Sequence, residues 1–488
     1  MSVAIMNALF CKKTGGLGGI MRIIGVVVAL LVLLGVGFGL NVLLCEQTKP
    51  TYSLNLPTHW NLKDDLVIDF SDESGLRGYE IEILLDSQSL FQKKEVVLGK
   101  PKNLSISLPK PPTELKNGTI LQYKIKVRNW SNANFFIGNS VTLDMFLTID
   151  MIAPRVEILA HSPKISRSGS ALVVFKVEDI ALDSIVLSNG KDKFEAFKYE
   201  PKALDSLTLP PNTQLFASII AWPLKNTFFE GSITITDKAH NATKIPISIA
   251  KNLSAPLRKS NIKLKENFLE SKLPMLIEQI SSVSFEDFKD DKERFLFINE
   301  TIRNEDEEKI IEASKYIATD KSYVEEFAPF YPLKNARAVG FFGDERSYYL
   351  GRDMVSVTHH MGLDLASVRN APISASNDGV VTLRRHLGLH GNTIIVYHGF
   401  GLSSLYAHLS DSLVKVGDTI MPQTLLGYTG ESGWAFGDHL HLEILVQGYP
   451  VSLNEWMSAK WVEENINSVF RQSHEKVIKQ GLYLMRDY

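Results

Sequence analysis

Cysteine is almost missing from this 488-residue chain. Cys11 and Cys45 are its only two, which excludes a disulfide framework and a multi-cysteine zinc knuckle. Charge of one sign is not in excess either: a formal net charge of −3 leaves no basic surface for a polyanion, and nucleic acid is not an expected partner. Only one long apolar run occurs, so a multi-span membrane protein is excluded. Apolar and charged fractions of 44% and 22% are those of globular domains and exclude a wholly disordered chain. Two hydrolase signatures are also absent. His474-Glu475 is not completed by a second histidine, and there is no Gly-x-Ser-x-Gly elbow.

The apolar run, Ile23 to Cys45, carries no charge. At ~1.5 Å per residue it is roughly 35 Å of helix, enough for a hydrocarbon core of about 30 Å. It is too long for a signal peptide and no small-residue cleavage site follows, while Leu44 is too bulky to precede a lipid-modified Cys45. An uncleaved transmembrane helix over 23–45 is therefore expected. Lys12, Lys13 and Arg22 precede it and Glu46 follows, which places residues 1–22 in the cytoplasm and everything after the helix in the periplasm. Cys11 and Cys45 would then lie on opposite sides of the inner membrane. A cysteine-free ectodomain fits a bacterial envelope better than a eukaryotic secreted domain.

The expected fold is mainly β. Residues 50–252 read as short strands broken by Gly, Pro, Asn and Asp, with a weak internal repeat. Leu66 to Asp72 resembles Val173 to Asp179, and the alternating Tyr123 to Val127 resembles Ser232 to Thr236, both at an offset of about 107 residues. Two β-sandwiches resembling immunoglobulin-like modules are expected, over 50–153 and 154–252, acting as spacers. Residues 253–336 turn charged and helical. Asn304 and Glu307 look like N-cap and N3 of a capping box, followed by Ile310, Ile311, Ala313, Ser314 and Ile317 at helical spacing. An antiparallel β domain is expected over 337–457 and a helical tail over 458–488.

Eight of the twelve histidines fall between His359 and His441. His439-Leu440-His441-Leu442-Glu443 alternates with period two, so on a strand both imidazoles project from one face and can share a small site. His360-Met361-Gly362-Leu363-Asp364 offers a nitrogen and an oxygen ligand around a glycine that permits a tight bend. His408 ends the strand-like Leu405-Tyr406-Ala407-His408. Each piece alone is a weak signal.

In this order, with Tyr406-Ala407-His408-Leu409 and Gly427-Tyr428-Thr429-Gly430 between them, the pieces resemble the lysostaphin-type (LytM-like) zinc metallopeptidases over about 120 residues. The resemblance implies Zn²⁺ held by His360, Asp364 and His441 with one position open for water, as in catalytic zinc sites. It implies that His408 and His439 are the unligated catalytic pair that orients or deprotonates water and protonates the leaving amine. How the two divide these roles is not readable from sequence. The chain departs from the family in Ala435-Phe436-Gly437-Asp438 and in Leu442, all outside those five positions; Trp434 and Phe436 are expected to reshape the groove wall.

His359 lacks the spacing to Asp364 that His360 has, and His386, His390 and His398 match no ligand position and are expected on the surface or in hairpins. The implied function is cleavage of peptidoglycan stem-peptide cross-links, of D,D-endopeptidase type, in cell-wall remodelling. A cell-wall or division complex could be a further partner. The alternative is a non-enzymatic LytM-like regulator that activates another hydrolase; such domains have lost ligands that this chain keeps. Residues 253–336 are read first as a rigid linker; because they directly precede the groove, the alternative is a regulatory lid able to occlude it.

Overall fold

A computed structural model describes residues 17–44, 48–201, 207–252, 257–280, 282–315, 326–480 and 484–485. Cys11 and Cys45 lie outside these residues, as does most of the stretch before the apolar run. The run forms one helix, Leu17–Leu44, whose segment Met21–Gly39 has a mean hydropathy of 2.6 and is long and apolar enough to cross a bilayer. The remainder is mainly β and divides into two compact units: one extends to Ile152 and includes 238–241, the other holds 153–237 and 242–488.

The first unit is a two-sheet sandwich. Strands Thr51–Ser53, Val67–Ser71 and Asn103–Ser107 form one sheet; His59–Trp60, Leu76–Leu85, Gln88–Val96, Ile120–Asn129 and Ser140–Ile149 form the other. Alternation works here as it does in any half-buried strand: Leu121, Tyr123, Ile125 and Val127 point into the core while the residues between them are partly exposed. Tyr123 donates its hydroxyl to Pro109 O at 2.8 Å and Trp60 donates Nε1–H to Asp64 O at 2.9 Å, which satisfies the polar atoms that these two rings carry into that core.

The second unit contains another pair of sheets. Arg155–His161, Ser170–Glu178, Phe197–Lys198 and Thr213–Ala221 make one, and Leu182–Asn189, Asp192–Glu195, Gly231–Asp237 and Ala242–Pro246 the other. This sandwich shares one hydrophobic core with the domain that follows. Phe400, at the tip of a hairpin, packs against Phe197, Tyr199 and Phe470, and Trp456 Nε1 donates to Ser170 Oγ at 3.0 Å. The C-terminal helix Ser468–Lys479 lies on Arg155–His161 and Ser170–Glu178, and Lys476 donates to Ile158 O.

The histidine-rich domain is built on an eight-stranded antiparallel sheet. Its spatial order is Arg337–Gly340, Leu363–Ala366, Leu440–Val446, Leu402–Leu409, Gly391–Gly399, Gly379–Leu387 and Thr419–Ile420, with Tyr449–Val451 pairing on Leu440–Val446.

The stretch expected to be a purely helical connector begins with a strand. Lys259–Leu264 pairs in parallel with Glu345–Leu350, extending a small sheet of the histidine-rich domain. Helices Glu266–Glu278 and Asp291–Leu296 follow, and the latter runs through a π-helical turn, Phe297–Ile302, into helix Arg303–Lys315. Asn304 is thus not an N-cap. Asp290 holds that position, accepting from Glu293 N at 2.9 Å, because the apolar stripe starts earlier with buried Phe295, Ile298 and Ile302.

Candidate metal centre and active site

His360 sits where strand Asp353–His359 ends, and Asp364 lies on the next strand opposite His441. Gly362 is required between them, since a Cβ there would lie 2.6 Å from the His441 ring. Ala407 flanks His441 on the other side, which brings His408 to the same end of the sheet. His408 adopts φ +61, an unusual conformation for a residue with a Cβ, at a register shift between the Tyr406–Ile394 and Leu409–Asn392 pairs, where its N–H donates to His390 O at 2.9 Å.

Three ligating atoms converge. His360 Nε2 is 3.1 Å from His441 Nδ1; Asp364 Oδ1 is 3.0 Å from the first and 2.9 Å from the second. The protons are held elsewhere: His360 Nδ1 donates to Phe341 O at 3.0 Å, and His441 Nε2 donates to Glu443 Oε1 at 2.9 Å. Two ring nitrogens and an anionic oxygen therefore face one point, and once an arriving cation displaces the proton that the carboxylates hold on His441, they form a donor set suited to a small ion. Ligands bonded at about 2.0–2.1 Å to tetrahedral zinc sit roughly 3.3 Å apart, close to this triangle.

His408 and His439 lie beside it, ring centroids 4.9 Å apart, with His408 centred 5.6 Å from His441. Each donates Nδ1–H to a backbone carbonyl, His408 to Ser432 O at 2.8 Å and His439 to Gly437 O at 2.7 Å. A carbonyl can only accept, so each ring keeps Nε2 as its basic nitrogen. The structure thus brings all five sequence-selected residues together. Trp434 and Phe436 line the same cavity, of about 550 Å³.

The electrostatics favour positive charge at the centre. Burial opposes ionisation of Asp364, but His360, His439 and His441 outweigh it and hold the carboxyl well below its usual range. Burial likewise disfavours charge on His441, yet the Asp364 and Glu443 carboxylates raise its pKa to about 9. His408, by contrast, is pushed well below the usual histidine value by burial and by the neighbouring imidazoles, so it is a neutral base. Arg346 donates to Asp364 Oδ2 at 3.0 Å, which fixes the carboxylate with Oδ1 turned to the histidines.

Two unassigned histidines, expected on the surface or in hairpins, lie in hairpins and are buried. His390 is in the turn between Gly379–Leu387 and Gly391–Gly399, and His398 is near the next turn. His398 bridges Asp378 O and Ser404 Oγ inside the sheet, where burial lowers its pKa to about 4. His390 stands between Glu443 Oε1 at 3.7 Å and Asp306 Oδ2 at 3.6 Å, and Asp306 in turn accepts from Leu389 N and Gly388 N. Burial disfavours its charge, but the two carboxylates raise its pKa. Asp306 is on helix Arg303–Lys315, so that helix reaches the residues behind His441. Its Arg303, Glu307, Ile310 and Ile311 form part of the cavity lining.

Residues 358–453 match Peptidase family M23. The chain carries an M23 peptidase domain. Over 93 residues it is 36% identical to the DD-carboxypeptidase/endopeptidase Mpg of Neisseria meningitidis, covering 19% of this chain and 21% of that protein. Over 96 residues it is 38% identical to the peptidoglycan DD-endopeptidase ShyA of Vibrio cholerae, covering 20% and 22%. The match thus spans about a fifth of the curated relatives' length. The catalytic domain of lysostaphin from Staphylococcus simulans aligns at 24% identity and a TM-score of 0.21, over 25% of this chain and 92% of that one. The M23 domain contains all five residues selected from the sequence, and M23 peptidases are metallopeptidases.

Proposed function

We propose that this chain is a membrane-anchored, zinc-dependent endopeptidase that hydrolyses peptide cross-links of peptidoglycan, of D,D-endopeptidase type. The observation that carries the reading is the convergence of His360 Nε2, Asp364 Oδ1 and His441 Nδ1, with both other ring protons committed elsewhere. The similarity of the M23 domain to relatives named as DD-endopeptidases supports the substrate class. Helix Leu17–Leu44 would hold the N-terminus in the cytoplasm and the peptidase in the periplasm, and the first sandwich, read as an immunoglobulin-like module, would act as a spacer.

His360, Asp364 and His441 would hold the ion. Zinc supplies Lewis acidity to a water and to the scissile carbonyl at neutral pH. The chain's own part is proton handling and orientation. His408, neutral and buried, accepts a proton at Nε2 and returns that proton to the leaving amine; His439 Nε2, 3.7 Å from Asp364 Oδ1, stands across from it as a second basic nitrogen that orients the reacting groups. Arg346 and Glu443 keep the ligand atoms aimed.

Helix Arg303–Lys315 supplies part of the cavity wall, which favours a second feature of the same reading: a latent enzyme whose groove is roofed by its own connector. The decisive experiment is metal analysis with muropeptide profiling of the wild type and His441→Ala. We expect one zinc per wild-type chain and cross-link cleavage that the variant lacks; metal-free wild type or identical digests would exclude the enzyme.

A further inference from the structure

The end of the first sandwich nearest the apolar helix has an unusual surface. Thr48, four residues beyond Leu44, is pinned there by its carbonyl, which accepts from Asn129 Nδ2 at 3.2 Å and Asn139 Nδ2 at 2.9 Å. Four residues span at most about 14 Å, so this end of the sandwich lies within that reach of the helix terminus whatever path 45–47 take. Helix Leu17–Leu44 also touches the short helix Ala133–Phe136 on the same end. A helix of 28 residues is roughly 42 Å long and matches a bilayer with its headgroup regions, which places Leu44 at the lipid surface.

Around that point the sandwich shows apolar side chains to solvent. Phe136 is 70% exposed and Ile137 53% on one loop; Leu98 is 87% exposed on another. Arg77 ties the loops together: it donates to Phe136 O at 2.9 Å and Ile137 O at 3.2 Å, while its own carbonyl accepts from Val97 N at 2.9 Å. Phe136 has φ +69, so a bulky residue is held in a left-handed conformation at an exposed tip. Arg77 and Lys100 both stack over Trp130, at 4.8 and 5.1 Å, and Lys49 is exposed beside Thr48. The one acidic side chain in the adjoining turn that forms an ion pair, Glu73, is neutralised by Lys102. Aromatic and aliphatic tips ringed by basic groups are the composition that seats in a lipid interface.

We propose that this end of the first sandwich rests on the membrane in which the chain is anchored, with Phe136, Ile137 and Leu98 in the lipid interface and Arg77, Lys100 and Lys49 against lipid phosphates. The sandwich then stands on the bilayer rather than swinging from a free tether. The inference rests on helix Leu17–Leu44 being a membrane anchor.

The test uses full-length protein in nanodiscs of phosphatidylethanolamine and phosphatidylglycerol, in a Cys11→Ser, Cys45→Ser background. Single cysteines from Phe136→Cys, Leu98→Cys, Ile120→Cys and Leu33→Cys carry an environment-sensitive fluorophore. Ile120 is the control, because it is apolar and 57% exposed but lies at the other end of strand Ile120–Asn129, about 30 Å away at ~3.3 Å per residue. We expect blue-shifted emission at 136 and 98, quenched by lipids spin-labelled near the headgroup. The probe at 120 should stay aqueous and the probe at 33 should be quenched from deep in the bilayer. Aqueous signals at both 136 and 98 with a deep signal at 33 would overturn the proposal and leave the anchor standing. An aqueous signal at 33 would remove the anchor and the proposal together. A blue shift at 136 and 98 without lipid quenching would mean that protein covers the patch, and would also overturn it. The two loop probes are independent, so local unfolding at one leaves the other readable.

Discussion

In the first sandwich, strand Val67–Ser71 buries every second residue; in the second, Ser170–Glu178 buries eight of nine in succession. The sequence patterns that begin the two domains are similar, yet one strand faces solvent on one side and the other is covered on both. The cover comes from far along the chain: helix Ser468–Lys479 and the seam around Trp456 and Phe400. A sandwich that closes its own core can serve as a spacer, whereas one that lends a face to the peptidase domain is part of the enzyme's framework.

That contrast can be broken at several strengths. Trp456→Ala removes a fully buried side chain at the seam and should cost about 3–5 kcal/mol, lowering the unfolding transition of the second sandwich and the peptidase domain together. Calorimetry of the full chain checks this; a shift confined to one of the two would show that they unfold independently. Ile125→Ala in the first sandwich should cost about 2–5 kcal/mol but leave peptidoglycan hydrolysis unchanged at temperatures where that unit is folded. A fall in rate parallel to the loss of stability would mean that the first unit also supports the active site.

The seam should further be sensitive to pH where the first sandwich core is not. Glu455 packs against Gly169 and accepts from Ser170 N at 3.2 Å, and burial raises its pKa to about 7. The protonated acid is therefore favoured in the folded state. Its stabilising contribution is complete below about pH 4.5 and is lost as pH rises through about 7, on the order of 2–3 kcal/mol. Unfolding midpoints of the second unit should fall between pH 5 and pH 8, and Glu455→Gln should flatten that dependence; an unchanged slope would remove Glu455 as its source.

The smallest effect concerns the roof. A side chain at Gly388 would collide with Ile302 and approach Asp306, so Gly388→Val should lift helix Arg303–Lys315 and raise hydrolysis severalfold, an energetic change of about 1 kcal/mol. Equal rates for variant and wild type on purified peptidoglycan would exclude a latent groove.

Much of the site is legible locally. His439 and His441 share a face because strands alternate, and Gly362 between His360 and Asp364 signals a close approach before any partner is known. Glu443 was equally accessible, being two residues beyond His441 on the same strand face. Arg346 and Phe341 carried no such signal, since their contacts to Asp364 and His360 depend on how distant strands pair. The burial of His390 in its hairpin turn was illegible for a related reason: nothing in Leu389-His390-Gly391 shows that Asp306 and Glu443 close on it from two sides. Asn304 failed as a cap because its local pattern competed with a better one at Asp290, and the buried stripe of Phe295, Ile298 and Ile302 decided between them.

By itself, the sequence determined the apolar helix and the strand-rich character of the residues beyond it, because each depends on composition or on periods of a few residues, and its motifs marked the five clustered residues through their resemblance to a known family. Tertiary structure alone decided which ring nitrogen of each histidine faces the centre, which carboxylate backs His441, that the second sandwich is fused to the peptidase domain, and that the connector walls the groove. Those features rest on backbone carbonyls and side chains brought together from remote segments, and only packing sets such distances.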